Sequence, residues 1–251
     1  MLNVHQIALG YNGTPLIEGC SFSLEQGQVC AVIGHNGSGK STLMRTLLGI
    51  QPPLAGRIDW HDPASAPKGQ PRNIAYLGQS ADLDHQFPMR VKDAVAMGAW
   101  KGLGFWTGID QAKADRIDYA LTRTGLAEMA DLPLYACSAG QLQRCFFARA
   151  IVQDAPVILL DEPFSTIDQS TEAKLVEIIR EWRAEGRGLI IVLHDLSAVM
   201  GLADTCLLLG DGRASFGQAD DVITIDNLIA HHYLSETQAE WLTLLQQKGA
   251  S

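Results

Sequence analysis

Val29-Cys30-Ala31-Val32-Ile33, then Gly34-His35-Asn36-Gly37-Ser38-Gly39-Lys40-Ser41, then Thr42-Leu43-Met44-Arg45-Thr46-Leu47-Leu48, is the stretch on which the reading of this chain turns. The first five residues form a continuous apolar run, the pattern of a strand buried on both faces. The last seven place Leu43 and Leu47 on one helical face, and Gly49 with Pro52-Pro53 stops the helix. The turn between them fits G-x-x-x-x-G-K-[ST], a phosphate-binding loop. Its glycines let backbone N–H groups converge on a phosphate, and the helix that follows presents its positive end. Lys40 is expected to reach the β- and γ-phosphates of a nucleoside triphosphate, and the Ser41 hydroxyl to ligate Mg²⁺.

Working outward, Val157-Ile158-Leu159-Leu160-Asp161-Glu162 is the companion such a loop needs, an apolar strand ending in two carboxylates. An isolated Asp-Glu at a strand end is more often a solvated turn. After a phosphate loop, Asp161 is expected to hold Mg²⁺ and Glu162 to orient or deprotonate the attacking water. Leu189–Leu193 is another buried-strand run, and Leu175, Ile178, Ile179 and Trp182 form a helix face between the two. Strands alternating with helices predict an α/β fold with a mostly parallel sheet. Residues from about Pro88 to Leu134 read as helical, with Ala114, Ile117 and Leu121 in phase and Gly125 as a stop. The three prolines between Trp60 and Asn73 mark a loop.

The chain has 251 residues, 47 % hydrophobic and 19 % charged, enough for one large domain or two lobes without disulfide or metal staples. Nineteen basic against twenty-eight acidic residues give a net charge of −9, which argues against nucleic acid as a partner. No apolar run approaches the ~18–20 residues that span a bilayer, and the N-terminus lacks the pattern of a signal peptide. Five cysteines, Cys20, Cys30, Cys137, Cys145 and Cys206, are odd in number and form no Cys-x-x-Cys pair. They read as small buried hydrophobes in a reducing, cytoplasmic setting.

Ser138-Ala139-Gly140-Gln141 resembles the signature of ATP-binding-cassette ATPases, usually L-S-G-G-Q, and other elements of that family stand in order around it. The resemblance implies that Tyr11 stacks on adenine and that residues Gly34 to Thr42 (Gly34, His35, Asn36, Gly37, Ser38, Gly39, Lys40, Ser41, Thr42) bind ATP. It further implies that Gln79 touches Mg²⁺ and the water, that Ser165 and Asp168 belong to the loop at the dimer contact, and that His194 contacts the γ-phosphate. The implied fold is a P-loop ATPase core with an N-terminal antiparallel β subdomain, over residues 1–87 and 152–230. A helical lobe over 88–151 is inserted into it and carries the signature; beyond the resemblance, the residues 231–251 read as a helical tail. By the same resemblance the chain pairs head to tail, so that Ser138–Gln141 of one copy closes on ATP held by the other. Two departures stand out: Cys137 where leucine is usual, and Ala139 in place of the first glycine.

Asp84-His85-Gln86-Phe87-Pro88, with Val91, Asp93, Val95 and Met97-Gly98-Ala99-Trp100, resembles the stretch after the glutamine loop in ATPases of zinc, manganese and iron importers. That resemblance implies polytopic membrane permease subunits as partners, a metal-binding solute receptor in the same system, and a place on the inner face of the cell membrane. Zinc is the expected cargo, with manganese or an iron chelate as alternatives. A soluble cassette ATPase of repair or translation is the rival class. It would need a long heptad insertion or a second cassette, and neither is present. His231-His232 reads as a surface helix end rather than a metal site, and Trp241, Leu244 and Leu245 as the packed face of a terminal helix after a cap at Ser235 with Gln238.

Overall fold

Leu2, Val4, Ile7 and Leu9 are buried along strand β1 (Leu2–Tyr11). The period of two skips one residue at His5-Gln6, where the pairing register shifts and Gln6 adopts φ 47°. This bulge returns Ile7 and Leu9 to the side occupied by Leu2 and Val4. Strand β2 (Thr14–Leu24) follows a two-residue turn at Asn12 and Gly13, both at positive φ (51° and 79°). Asn-Gly suits such a turn because both residues tolerate the left-handed region, and the pair is a hairpin signal in the sequence. With β4 (Ala55–Trp60), these strands form an antiparallel sheet in the order β2-β1-β4.

The structure, a computed structural model, describes residues 1–61, 73–78, 89–100, 110–165, 167–235 and 237–238. The chain folds as two compact units, Met1–Arg72 with Gly188–Ser251, and Asn73–Arg187. In the first, strand β3 (Val29–Gly34) lies between β7 (Gly188–Val192) and β8 (Thr205–Gly210), parallel to both. All three are buried along their whole length, as continuous apolar runs require. Strand β9 (Arg213–Gln218) closes the edge antiparallel to β8. Helix α1 (Lys40–Leu47) leaves β3 through the glycine turn with Leu43 and Leu47 buried, and Gly49 at φ 71° ends it. Helices α6 (Leu196–Leu202), α7 (Ala219–Val222) and α8 (Ile225–Ala230) complete this unit.

The second unit pairs β5 (Ile74–Leu77) in parallel with β6 (Val157–Asp161). Its helices are α2 (Val91–Ala96), α3 (Gln111–Arg123), α4 (Ala139–Gln153) and α5 (Gln169–Ala184). Asp110 caps α3 by accepting from the Lys113 amide, Ile117 and Leu121 are buried as the spacing predicts, and Gly125 follows at φ 67°. On α5, Leu175, Ile178, Ile179 and Trp182 are all buried. Trp182 stacks on Phe147 of α4, centroids 5.4 Å apart and planes 8° from parallel, a contact worth roughly 0.5–1.5 kcal/mol beyond burial. Four cysteines, Cys20, Cys30, Cys145 and Cys206, are buried, and burial pushes their thiols up to about 12, so they act as small apolar side chains. Cys137 is only partly covered.

One polar junction fixes how α4 hands over to β6. Asp154 ends α4 in the left-handed region at φ 54°. Its carboxylate takes Arg116 of α3 at 2.7 Å and Arg187 at 2.7 Å. The same arginines also donate to the carbonyls of Ile151 and Ala155, at 3.1 Å each. Hydrogen bonds from Arg116 first, then Arg187, hold the Asp154 carboxyl below the usual carboxylate range against the opposing effect of burial. A folded pKa lower than the unfolded one adds stability above the unfolded value, and that stability is lost as pH falls through the folded value. Asp154→Asn should therefore lower stability at pH 7 by about 0.5–1 kcal/mol, since the carboxylate is half exposed, while asparagine keeps the left-handed backbone. Urea denaturation at pH 7 and pH 2.5 checks this: the gap between wild type and variant should close at the lower pH.

Candidate active site

The phosphate loop sits where β3 ends. Parallel pairing brings Val32 beside Val192, so Gly34 and His194, each two residues further on, leave neighbouring strands at the same edge. Open α/β sheets bind ligands at this C-terminal edge. Gly34 has no room for a side chain: a Cβ there would lie 2.4 Å from the Leu209 carbonyl oxygen and 2.4 Å from the Ser38 hydroxyl. Gly37 and Gly39 adopt φ 85° and 100°, which turn the chain into α1. Lys40 is buried, and its ammonium donates to the carbonyls of Gly34 at 2.8 Å and His35 at 3.1 Å. The loop thus solvates its own cation with neutral oxygens, which a phosphate would outbid with a full negative charge. The Ser38 hydroxyl is buried with no hydrogen-bond partner among the described residues, a polar atom left over inside the loop.

Tyr11 is tied to the same loop, its phenol oxygen accepting from the buried Thr42 hydroxyl at 2.8 Å. Tyr11 as a whole remains 43 % exposed beside the first turn of α1. At the end of β7, the amide of Leu193 donates to Val32 O at 3.1 Å, and His194 itself is exposed. The His194 carbonyl accepts from the Tyr233 hydroxyl at 2.6 Å. These residues are separated by 39 positions, and no sequence pattern connects them.

The second unit carries the acids. Asp161 closes β6 almost fully buried and accepts from the Tyr76 hydroxyl at 3.3 Å. Glu162 follows in the left-handed region at φ 53°, where its carbonyl accepts from both the amide and the hydroxyl of Ser165, at 3.2 and 2.9 Å. A non-glycine residue there costs on the order of 1–3 kcal/mol, strain that concentrates at functional sites. Ser165 therefore secures Glu162's backbone. Asp168 is the N-cap of α5, accepting from the Thr171 amide at 3.0 Å and hydroxyl at 2.8 Å. A hydrogen bond from the Ser170 hydroxyl first, then these two from Thr171, hold its carboxyl far below the usual range.

Ser138-Ala139-Gly140-Gln141 forms the N-terminus of α4 as a reciprocal capping box. The Gln141 amide donates to Ser138 Oγ at 3.3 Å, and the Ser138 amide donates to Gln141 Oε1 at 2.8 Å. The S-x-x-Q spacing is the sequence signal of this cap. The Ser138 hydroxyl hydrogen remains available to donate outward. Ala139 is exposed, and a Cβ on Gly140 would meet nothing nearer than Thr171 Oγ1 at 3.8 Å. Gln79, Thr166 and the stretch Asp84–Pro88 lie outside the described residues, as do Trp241, Leu244 and Leu245. One expectation needs correction: His231 is not a surface residue but is 5 % exposed, bonded to Asn227 O at 2.8 Å and to the Ser215 hydroxyl at 3.2 Å. Three or more metal-ligating side chains gather nowhere among the described residues.

A buried lysine in a glycine-bounded loop at a strand end, with an acid pair closing a second apolar strand, defines a P-loop nucleoside triphosphatase. The family described as ABC transporter matches residues 17–165, and the chain belongs to that family through its ATPase domain. It is 32 % identical to the manganese transport system ATP-binding protein MntB of Bacillus subtilis, over 98 % of this chain and 96 % of that one. It is 34 % identical to the zinc transport system ATP-binding protein TroB of Treponema pallidum, over 83 % and 77 %. Among solved structures, one described as a metal-chelate-type ABC transporter in an inward-facing conformation superposes with a TM-score of 0.81 at 27 % identity, covering 93 % of this chain and 89 % of that one.

The space around Gly140 gives a clean test of the signature. Gly140→Ala should leave the melting temperature within about 2 °C, because the added methyl makes only ordinary contacts. It should still cut ATPase activity more than tenfold if the glycine's bare face is what meets ATP. Ala139→Gly should change activity less than threefold. Steady-state phosphate release and a thermal melt read both.

Proposed function

We propose that this chain is the ATP-hydrolysing subunit of an importer of a divalent metal ion, working as a head-to-tail pair on the inner face of the membrane beneath polytopic permease subunits. The reading rests above all on the phosphate loop, where the buried Lys40 ammonium is held by two carbonyls of its own loop. Among the described residues no helix is long and apolar enough to cross a membrane; in this proposal the ion passes through the permease subunits. A metal-binding solute receptor completes the proposed system.

In this proposal residues Gly34 to Thr42 cradle the phosphates, Lys40 neutralises the β- and γ-oxygens, and Tyr11 stacks on adenine. Hydroxyl and carboxylate oxygens suit Mg²⁺, and Ser41 with Asp161 would hold it, aided by Gln79. Bound there, the ion would neutralise charge on the β- and γ-phosphates. Glu162 takes a proton from water as the water oxygen bonds to the γ-phosphorus, and ADP leaves with the electron pair of the broken bond. His194 contacts the γ-phosphate. Ser138, Ala139, Gly140 and Gln141 of a second copy donate to it from the opposite side, with Ser165 and Asp168 at the contact. ATP binding favours the closed pair and hydrolysis the open one, which moves the permease.

Zinc is the proposed cargo, from the resemblance of Asp84–Trp100 to ATPases of zinc, manganese and iron importers together with that of Phe147-Ala148-Arg149 and Gln153–Phe164 to importers of the zinc type. Manganese is the second reading, favoured by the nearly full-length similarity to a manganese system's ATP-binding protein. Growth of a deletion strain under metal chelation separates them: zinc should restore growth better than manganese or iron, and rescue by manganese alone would replace zinc as cargo. For the chemistry, Glu162→Gln should keep ATP binding and lose turnover at least a hundredfold, since an amide cannot take the proton. Light scattering should then show an ATP-trapped dimer. Undiminished hydrolysis would remove Glu162 from the reaction.

A further inference from the structure

Three consecutive side chains after α8 each fasten to a different part of the first unit. His231 is buried, its Nδ1 at 2.8 Å from Asn227 O and its Nε2 at 3.2 Å from the Ser215 hydroxyl of β9. Its backbone carbonyl sits so close to Gly210 that a Cβ there would lie 2.0 Å away. His232 turns the chain in the left-handed region at φ 52°, its Nδ1 lying 3.6 Å from the Asp211 carboxylate. Tyr233 then reaches the carbonyl of His194 at 2.6 Å, while its own amide is held by Leu228 O at 2.8 Å. The segment is a clasp whose anchored end delivers one phenol to the backbone of one residue.

That residue stands where β7 becomes α6. On one side the Leu193 amide is bonded to Val32 O; on the other, Asp195 caps α6 by accepting from the Ser197 amide at 2.8 Å. The Tyr233 bond fixes the peptide unit between these two, so the backbone carrying the His194 imidazole is held from both neighbours and at its own carbonyl. Burial, reinforced by the Asp195 carboxylate, keeps the phenol above its usual pKa and hence a donor.

We propose that Tyr233 is a positioning residue for His194: its hydroxyl, set by the His231-His232 clasp, fixes the backbone that aims the imidazole at the γ-phosphate. This rests on the role given to His194 above. In the proposed site most contacts to ATP come from the loop at β3, which the clasp does not touch, so loss of the phenol should act on turnover far more than on affinity. Preorganisation within about half an ångström is what such a group requires, and a loosened support lowers kcat without removing a contact to substrate.

The test uses the full-length chain and single-turnover release of phosphate from radiolabelled ATP, which reads slow rates. Tyr233→Phe keeps the ring and removes only the hydroxyl. It should lower the rate of hydrolysis about five- to tenfold, with ATP affinity within twofold and the melting temperature within about 2 °C. Hydrogen exchange at the amides of His194 to Ser197 should quicken, which reads the backbone directly even if rates are low. In a His194→Ala background the same change should add nothing. Wild-type turnover and exchange in Tyr233→Phe beside an impaired His194→Ala would overturn the positioning alone, as would an equal loss in both backgrounds. Wild-type turnover in His194→Ala would overturn the histidine's role and the positioning with it.

Discussion

The parallel pairing of β3 with β7, Val29 beside Leu189 through Val32 beside Val192, is the constraint from which the rest of the first unit follows. Both strands are apolar on both faces, so no polar side chain can appear along them without an unpaid desolvation cost. Chemistry is therefore confined to the strand ends. Parallel direction then puts both carboxyl ends at one edge, where the glycine loop and His194 emerge. The second unit repeats the logic: β6 is buried along its length, and Asp161 and Glu162 appear only where it stops.

At the end of β3 and at the starts of α4 and α5 the polar groups are engaged by partners within the chain. Lys40 is solvated by loop carbonyls, Ser138 and Gln141 satisfy each other's helix-terminal amides, and Asp168 caps α5. Such engagement keeps the groups rigid, and each retains capacity for a stronger partner: the ammonium for a phosphate, the serine hydroxyl hydrogen for an anion. Glu162 shows the accompanying cost, a left-handed backbone kept in place by Ser165.

Much of this was legible in the residues. The strand–loop–helix around Gly34–Ser41, the acid pair after Val157–Leu160, and the buried faces of α3 and α5 follow from continuous apolar runs, from a period of 3.6 and from glycine placement. Two local signals, Asn12-Gly13 and Ser138-x-x-Gln141, were also present and mark a hairpin turn and a helix cap. His231 misled, because a histidine pair near a chain's end carries no sign of burial; only the hydroxyl of Ser215 and the carbonyl of Asn227, supplied by folding, make its interior position tolerable.

The sequence by itself determined which atoms are available for phosphate chemistry and which strands deliver them, because hydrophobic period and glycine spacing are properties of neighbouring residues. Tertiary structure alone decided how those atoms are held. The Thr42 bond to Tyr11, the Tyr76 bond to Asp161 and the Tyr233 bond to the His194 carbonyl join residues 31, 85 and 39 positions apart. A hydroxyl's partner is set by where the backbone brings it in space, and hydrogen bonding at such separations leaves no periodic trace in the chain.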